Sequence, residues 1–317
     1  MKLDTKCLKS KKVADVILQN ITKTYNKGET VAVNDVSFSV EKGELFGLIG
    51  PDGAGKTSIF RILTTLLKPD GGNGSVCGFD VVNDYKAIRK IVGYMPGKFS
   101  LYQDLTVEEN LTFFATVFKT TIAENYNLIR DIYVQIEPFK TRRAGKLSGG
   151  MKQKLALCCA LIHRPTVLFL DEPTTGVDSV SRKEFWEMLK RLKVQGITIL
   201  VSTPYMDEAM LCDRIALIQN GEIMSINSPE KIISEYPKKL YAVKSNNMSH
   251  LLKDIRQFDG IESCNSFGEF HHISFKEDDD LENQQILTGY LNGKSHQQFE
   301  FKPVKPTIED CFIKLMN

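Results

Sequence analysis

The sequence contains no apolar run approaching the roughly twenty residues that span a bilayer. Its first residues, Met1 to Lys12, hold five lysines where a secretory signal would carry an apolar core. The expected setting is therefore the cytoplasm, with any membrane role reached through a partner. An excess of charge of either sign is also missing. The 41 Lys and Arg against 39 Asp and Glu leave a net charge of +2, which gives no electrostatic reason to expect nucleic acid as a partner. The basic start reads as a solvated tail. Cysteine lacks a pattern: the seven (Cys7, Cys77, Cys158, Cys159, Cys212, Cys264, Cys311) are odd in number and follow no metal or disulfide spacing, as expected of a reducing compartment. What remains is ordinary globular composition, 42% hydrophobic and 25% charged, in a chain of 317 residues. That length exceeds one compact core and fits two domains.

One stretch organises the rest. Gly50-Pro51-Asp52-Gly53-Ala54-Gly55-Lys56-Thr57-Ser58 fills every fixed position of the phosphate-binding pattern G-x-x-x-x-G-K-[ST]. It follows Leu45-Phe46-Gly47-Leu48-Ile49, an apolar run of buried-strand type, and precedes a helical composition from Thr57 to Leu67. The glycines let the backbone fold into a nest whose N–H groups face phosphates. Lys56 adds a point charge, and the Thr57 hydroxyl can ligate magnesium. Nucleotide binding is the implied chemistry. Upstream, Val13 to Val40 reads as two strands around the turn Tyr25-Asn26-Lys27-Gly28, with Tyr25 either stacking on a purine ring or simply ending a strand. Downstream, Lys68 to Gly74 reads as a breaker before the short strand Ser75-Val76-Cys77. A helical patch near Tyr85 to Lys90 leads to the strand from Ile91 and the loop at Pro96-Gly97. The capping-box pattern Thr106 to Glu109 opens a mostly helical segment reaching about Lys140.

Two further motifs carry chemistry. The apolar strand Val167 to Leu170 ends in Asp171-Glu172, and in a parallel sheet such an end lines the ligand crevice. Asp171 is suited to hold magnesium through its water shell, and Glu172 to polarise the water that attacks a γ-phosphate. Leu147-Ser148-Gly149-Gly150-Met151-Lys152-Gln153 leads into the helical run Leu155 to Ile162. A Ser-Gly-Gly turn at a helix N-terminus is a second anion site. One subunit has no use for two phosphate sites on one nucleotide, so this turn is expected to cover the γ-phosphate of a nucleotide bound to another subunit.

With phosphate loop, Leu-Ser-Gly-Gly signature, Asp171-Glu172 and then Gly176-Val177-Asp178 in this order, the sequence resembles the ATPase subunit of an ATP-binding cassette (ABC) transporter from about residue 14 to 235. The resemblance implies an α/β P-loop fold: a RecA-like core, an antiparallel β subdomain and a helical subdomain near residues 98–160. It implies ATP and Mg2+ as ligands, with two such domains closing head to tail on two ATP molecules, each held between one phosphate loop and the opposite signature. It makes Tyr25 the adenine-stacking aromatic and Asp178 the D-loop carboxylate. Leu101 to Leu111 matches the exporter-type branch, whose members move drugs, lipids, polysaccharides or ions through a separate permease. The implied partners are that permease and a second cassette, in a homodimer or a heterodimer. The implied place is the cytoplasmic face of the membrane. A soluble cassette protein of translation or DNA repair would carry two cassettes or a long coiled coil, and neither is present.

Three positions depart from the family pattern. Gly97 stands where a glutamine normally reaches magnesium and the attacking water, and Pro204 where a histidine normally touches the γ-phosphate. Asp52 occupies a place more often held by an amide. The departures open a second reading, in which this chain's own site is degenerate and its signature serves a partner's ATP. The other reading is a rewired site in which Ser202, Thr203, Tyr205 or water fills in. Beyond the tail at residues 1–13 and the ATPase domain at 14–235, residues 236–317 read as a small α+β extension. In it the acidic run Glu277 to Asp280 reads as a solvated turn. His271 and His272, adjacent on a strand, point to opposite faces and so do not make a metal site.

Overall fold

The computed structural model describes residues 14–277, 280–294, 296 and 299–316. The tail at residues 1–13, and Asp278 and Asp279 of the acidic run, lie outside the described residues. The chain divides into two compact units after Glu230, whereas the sequence pattern places the change after residue 235.

In the first unit β1 (Ala14–Tyr25) and β2 (Thr30–Glu41) form a long antiparallel hairpin. Its turn is the expected one: Asn26, Lys27 and Gly28 have φ of 51°, 57° and 99°. β3 (Leu45–Ile49) passes through the phosphate loop into α1 (Lys56–Leu63). β4 (Gly71–Val76) and β5 (Phe79–Asp80) complete a four-stranded sheet in the order β2-β1-β4-β5. Next come α2 (Tyr85–Ile91), β6 (Val92–Met95) and the helices α3 (Val107–Val117), α4 (Ile122–Tyr133) and α5 (Gly149–Leu161). β7 (Val167–Asp171), α6 (Ser179–Val194), β8 (Thr198–Thr203), β9 (Arg214–Gln219) and β10 (Glu222–Asn227) finish the main sheet. Its six strands are ordered β10-β9-β3-β8-β7-β6. All but β10 run parallel.

Every residue of β3, β7 and β8 is buried, as a strand covered on both faces requires. The strand ends Ile49, Met95, Asp171 and Thr203 therefore lie along one edge, where their loops converge. Beneath that edge Phe60 of α1 meets Phe169 of β7 edge-on at 5.9 Å, and Phe38 stacks on Phe46 at 5.4 Å.

Three elements differ from the sequence reading. α1 stops at Leu63 instead of reaching Leu67. Thr64 turns its hydroxyl back onto Phe60 O at 2.8 Å, Thr65 adopts φ 63°, and the N–H groups of Leu66 and Leu67 both close onto Arg61 O. The glycine-rich breaker is half strand: β4 begins at Gly71 and pairs with β1. Glycine is what lets the two backbones meet, since a Cβ at Gly72 would lie 2.2 Å from Asn20 O. The long helical segment is broken at Lys119 (φ 58°) and restarted by a second capping box, Thr121 with Glu124.

α7 (Pro229–Ser234) spans the division. In the second unit β11 (Leu240–Ser245), α8 (Met248–Gln257), β12 (Ile261–Phe267), β13 (Phe270–Phe275), α9 (Asp280–Gly293) and β14 (Phe299–Val304) make a β-α-β-β-α-β run. The antiparallel sheet is ordered β12-β13-β11-β14, a ferredoxin-like split arrangement. Tyr241, Val243, Leu251, Ile255, Ile273 and Leu287 form its core. α10 (Ile308–Met316) ends the described chain. His271 contacts Ser266 and Met248 O, while His272 contacts Asp310 of α10 at 2.9 Å and stacks on Phe267. Each imidazole thus has its own partners, and among the described residues no cluster of three or more His, Cys, Asp or Glu is arranged to hold a metal.

Candidate nucleotide site

The phosphate loop owes its shape to glycines at two close approaches. A Cβ on Gly50 would lie 2.2 Å from Ile218 O, and one on Gly55 (φ 103°) 2.2 Å from Ala32 O. Hydrogen bonds brace the loop from outside: Gly50 N–H donates to Thr203 O, and Gly221 N–H, at the β9–β10 turn, donates to Ala54 O at 3.1 Å. Gly55 is the N-cap of α1, so Lys56, Thr57 and Ser58 form the helix's first turn, where N–H groups are free for anions.

Lys56 is 3% exposed. Its Nζ donates to Gly50 O at 2.8 Å and Pro51 O at 2.9 Å and pairs with Glu172 Oε1 at 3.2 Å. The loop lysine and the candidate base are thus brought together. The two acids are set by β8. Asp171 Oδ1 accepts the Ser202 hydroxyl at 2.6 Å. The Glu172 N–H donates to both Ser202 O and Ser202 Oγ at 3.0 Å, which holds Glu172 at φ 50°, a left-handed conformation uncommon outside glycine. Tyr94 lies behind them, its hydroxyl pushed up to about 12 by burial and then by the Asp171 charge. Tyr25 reaches the loop from β1, its hydroxyl sharing a hydrogen bond with Ser58 Oγ at 3.1 Å. Asp52 is exposed at the tip of the loop.

Gly97 sits against these acids: a Cβ there would lie 3.1 Å from Asp171 O and 3.7 Å from Glu172 Cβ. Pro204 follows Thr203 at the end of β8, and Tyr205 N–H donates across it to Thr203 Oγ1 at 3.1 Å. Ser148 caps α5, accepting from Met151 N–H at 3.3 Å, with Leu147 buried beneath it. The signature packs on the loop that contains Asp178: Cβ atoms on Gly149 and Gly150 would lie 3.6 Å from Gly176 O and 2.8 Å from Ser181 Oγ. Lys152 covers the Phe99 ring at 5.5 Å. No hydrogen bond or ion pair among the described residues joins the stretch Leu147–Gln153 to Gly50–Ser58. Asp178 caps α6, accepting from Ser181 N–H, and those hydrogen bonds hold its carboxyl below the usual range. Sequence reasoning missed Gly221, whose N–H braces Ala54 O, and the buried Glu208, which accepts from Thr174 Oγ1 and Thr203 Oγ1.

Oxygen donors on Thr57 and Asp171 suit Mg2+, which takes few protein ligands and keeps several waters. At the end of β6 an apolar groove of about 570 Å³ is lined by Tyr94, Met95, Leu101, Val117, Phe118 and His163. Leu66 and Val117 at this groove are each more than half exposed. Among the described residues no helix is long and apolar enough to cross a membrane.

The sequence profile of the ABC transporter family matches residues 33–175. Nod factor export ATP-binding protein I of Burkholderia lata is 34% identical over 307 residues, which cover 96% of this chain and 97% of that protein. The chain belongs to the ATP-binding subunits of ABC transporters. This ABC subunit is also 43% identical over 221 residues, 69% of its length, to the probable multidrug ABC transporter ATP-binding protein YbhF of Escherichia coli K12. The match spans only 38% of YbhF. Among solved structures, the dimeric post-hydrolysis state of the cassette MJ0796, bound to ADP and Pi, superposes on the ABC subunit with a TM-score of 0.61 and 28% identity. It covers 67% of this chain and 98% of that one.

Proposed function

We propose that the chain binds ATP on Gly50–Ser58, hydrolyses it with Glu172 as catalytic base, and drives a separate membrane permease of the exporter type. The observation that carries this reading is the meeting of Lys56 and Glu172 at 3.2 Å, at the strand edge where Asp171 also ends. Lys56 and the loop N–H groups bind and orient the phosphates. Thr57 and Asp171 would hold magnesium, which would supply positive charge to offset that of the phosphates. Glu172, fixed at its backbone by Ser202, takes the proton of the attacking water. Tyr25 stacks on the base. The signature Leu147–Gln153, which no hydrogen bond or ion pair among the described residues joins to Gly50–Ser58, acts on the ATP of a second cassette, with Asp178 on the adjoining loop. The permease occupies the groove beside Tyr94 and Met95, whose exposed Leu66 and Val117 it would cover. On this reading the protein works at the cytoplasmic face of the membrane, held there by its permease.

Gly97 and Pro204 favour one alternative. With no amide at the first and no imidazole at the second, the site lacks two transition-state donors, each typically worth a factor of roughly 10² to 10³ in rate. Turnover then belongs to a partner's site completed by Ser148. Steady-state ATPase assays on the chain, alone and with a second cassette and permease, separate the two. Glu172→Gln is expected to lower turnover at least about a hundredfold with ATP affinity retained. Turnover that survives Glu172→Gln but is lost in Ser148→Arg would mean that the chain lends its signature to another subunit's catalysis.

A further inference from the structure

Glu208 is a carboxylate at 2% exposure that has no part in the chemistry described above. It lies on a short 3-10 turn, Met206–Leu211, just past β8. Its Oε1 accepts from Thr174 Oγ1 at 2.8 Å and from Arg182 Nε at 3.2 Å, and its Oε2 accepts from Thr203 Oγ1 at 2.6 Å. The three donors come from three different segments. Thr174 lies two residues past Glu172, Thr203 directly precedes Pro204, and Arg182 stands in the first turn of α6, which Asp178 caps.

Further contacts tighten the ring. Tyr205 N–H reaches back across Pro204 to Thr203 Oγ1 at 3.1 Å, so the same hydroxyl that donates to Glu208 also closes the turn. Proline has no N–H to fix that peptide, which leaves the Thr203 side chain to do it. The Arg182 guanidinium covers the Tyr205 ring at 4.2 Å and pairs with Asp207 at 3.3 Å. Backbone bonds carry the tie outward: Thr175 N–H to Glu172 O, Val177 N–H to Thr174 O, and Arg182 N–H to Asp178 O.

We propose that Glu208 is a positioning residue for ATP turnover. It binds the segment after Glu172, the turn at Pro204 and the start of α6 into one body, so that the base, the proline turn and the Asp178 loop keep a single relative arrangement. The rigidity comes from a buried carboxylate whose partners are Thr174, Arg182 and Thr203. The kinetic part of this inference rests on the ATPase reading above; the mechanical part does not.

The test uses the full chain assembled with its permease and second cassette for kinetics, and the full chain alone for amide hydrogen exchange. Glu208→Gln preserves shape and burial but replaces an acceptor-only group by one that carries donors. The expected result is a fall in kcat of about tenfold with KM for ATP within twofold. Exchange is expected to quicken in residues 174–182 as well as in 203–208. Thr174→Val, which removes one donor, is expected to give a smaller effect of the same kind. A Glu208→Gln protein with wild-type kcat overturns the positioning role. Quickened exchange confined to residues 203–208 overturns the single body. Should the unsubstituted assembly show no turnover, the ATPase reading fails, and the exchange pattern alone decides whether the three segments are joined.

Discussion

At the scale of residues, the site depends on atoms that are absent as much as on those present. Gly55 combines φ 103° with a neighbouring carbonyl 2.2 Å from where a Cβ would stand. Backbone strain of this sort costs about 1–3 kcal/mol. Gly55→Ala is therefore expected to weaken ATP binding by about ten- to a hundredfold, as read by equilibrium titration with a fluorescent ATP analogue. Unchanged affinity would show that the loop tolerates a different path. Gly97 lacks a side chain for a different reason: nothing in its backbone demands glycine, and its position against Asp171 O leaves only a tight space for a Cβ. The described cysteines are free and lie within the fold, and burial pushes the Cys158, Cys159 and Cys212 thiols well up, which makes them poor nucleophiles.

At the scale of elements, the helices and strands that carry motifs were legible in the sequence because their signals are local. Leu45–Ile49 and Val167–Leu170 are continuous apolar runs, and the structure buries them on both faces. The Ser148 turn opens α5 as its composition demands. What was not legible depends on contacts between distant segments. The glycines of β4 read as a breaker because nothing nearby announces that β1 will lie against them. Thr174 lies 34 residues from Glu208 along the chain and meets it, beside Thr203, only when β7 and β8 pair. The second capping box, Thr121 with Glu124, is local too, but it lies inside a composition that is helical on both sides. Thr121 accepts from Glu124 N–H, and Glu124 Oε2 accepts from Thr121 N–H, both at 3.2 Å. Thr121→Ala is expected to destabilise the first unit by about 1 kcal/mol, seen as a lower urea midpoint with the m-value unchanged.

At the scale of the whole molecule, the second unit has an acid-sensitive tie of its own. The second is tied to its last helix by Asp310. Burial alone would raise the Asp310 carboxyl, but hydrogen bonds from His272 and from the Thr307 N–H and hydroxyl hold it below the usual carboxylate value of 3.8. A depressed carboxylate contributes stability above its unfolded value and loses it as the pH falls through the folded one. Stability of the second unit is therefore expected to be flat in this respect near neutrality and to drop below about pH 4. Asp310→Asn should remove that component of the acid sensitivity and lower stability at pH 7, as followed by far-ultraviolet circular dichroism against urea. An unaltered acid profile in Asp310→Asn would place the sensitivity elsewhere.

The turn between β9 and β10 has a longer reach than its place suggests. Gly221 gives its N–H to Ala54 and its carbonyl to Asn34, and a Cβ on it would press on Ala32 O at 2.9 Å. A surface hairpin tip is ordinarily free to vary in length and composition. Here it acts as the outer half of a mould for the phosphate loop. Drift at Asn220-Gly221 is restrained by a nucleotide that the turn never meets, and a cassette grafted with a foreign hairpin would inherit an ill-formed cradle even with every motif residue in place.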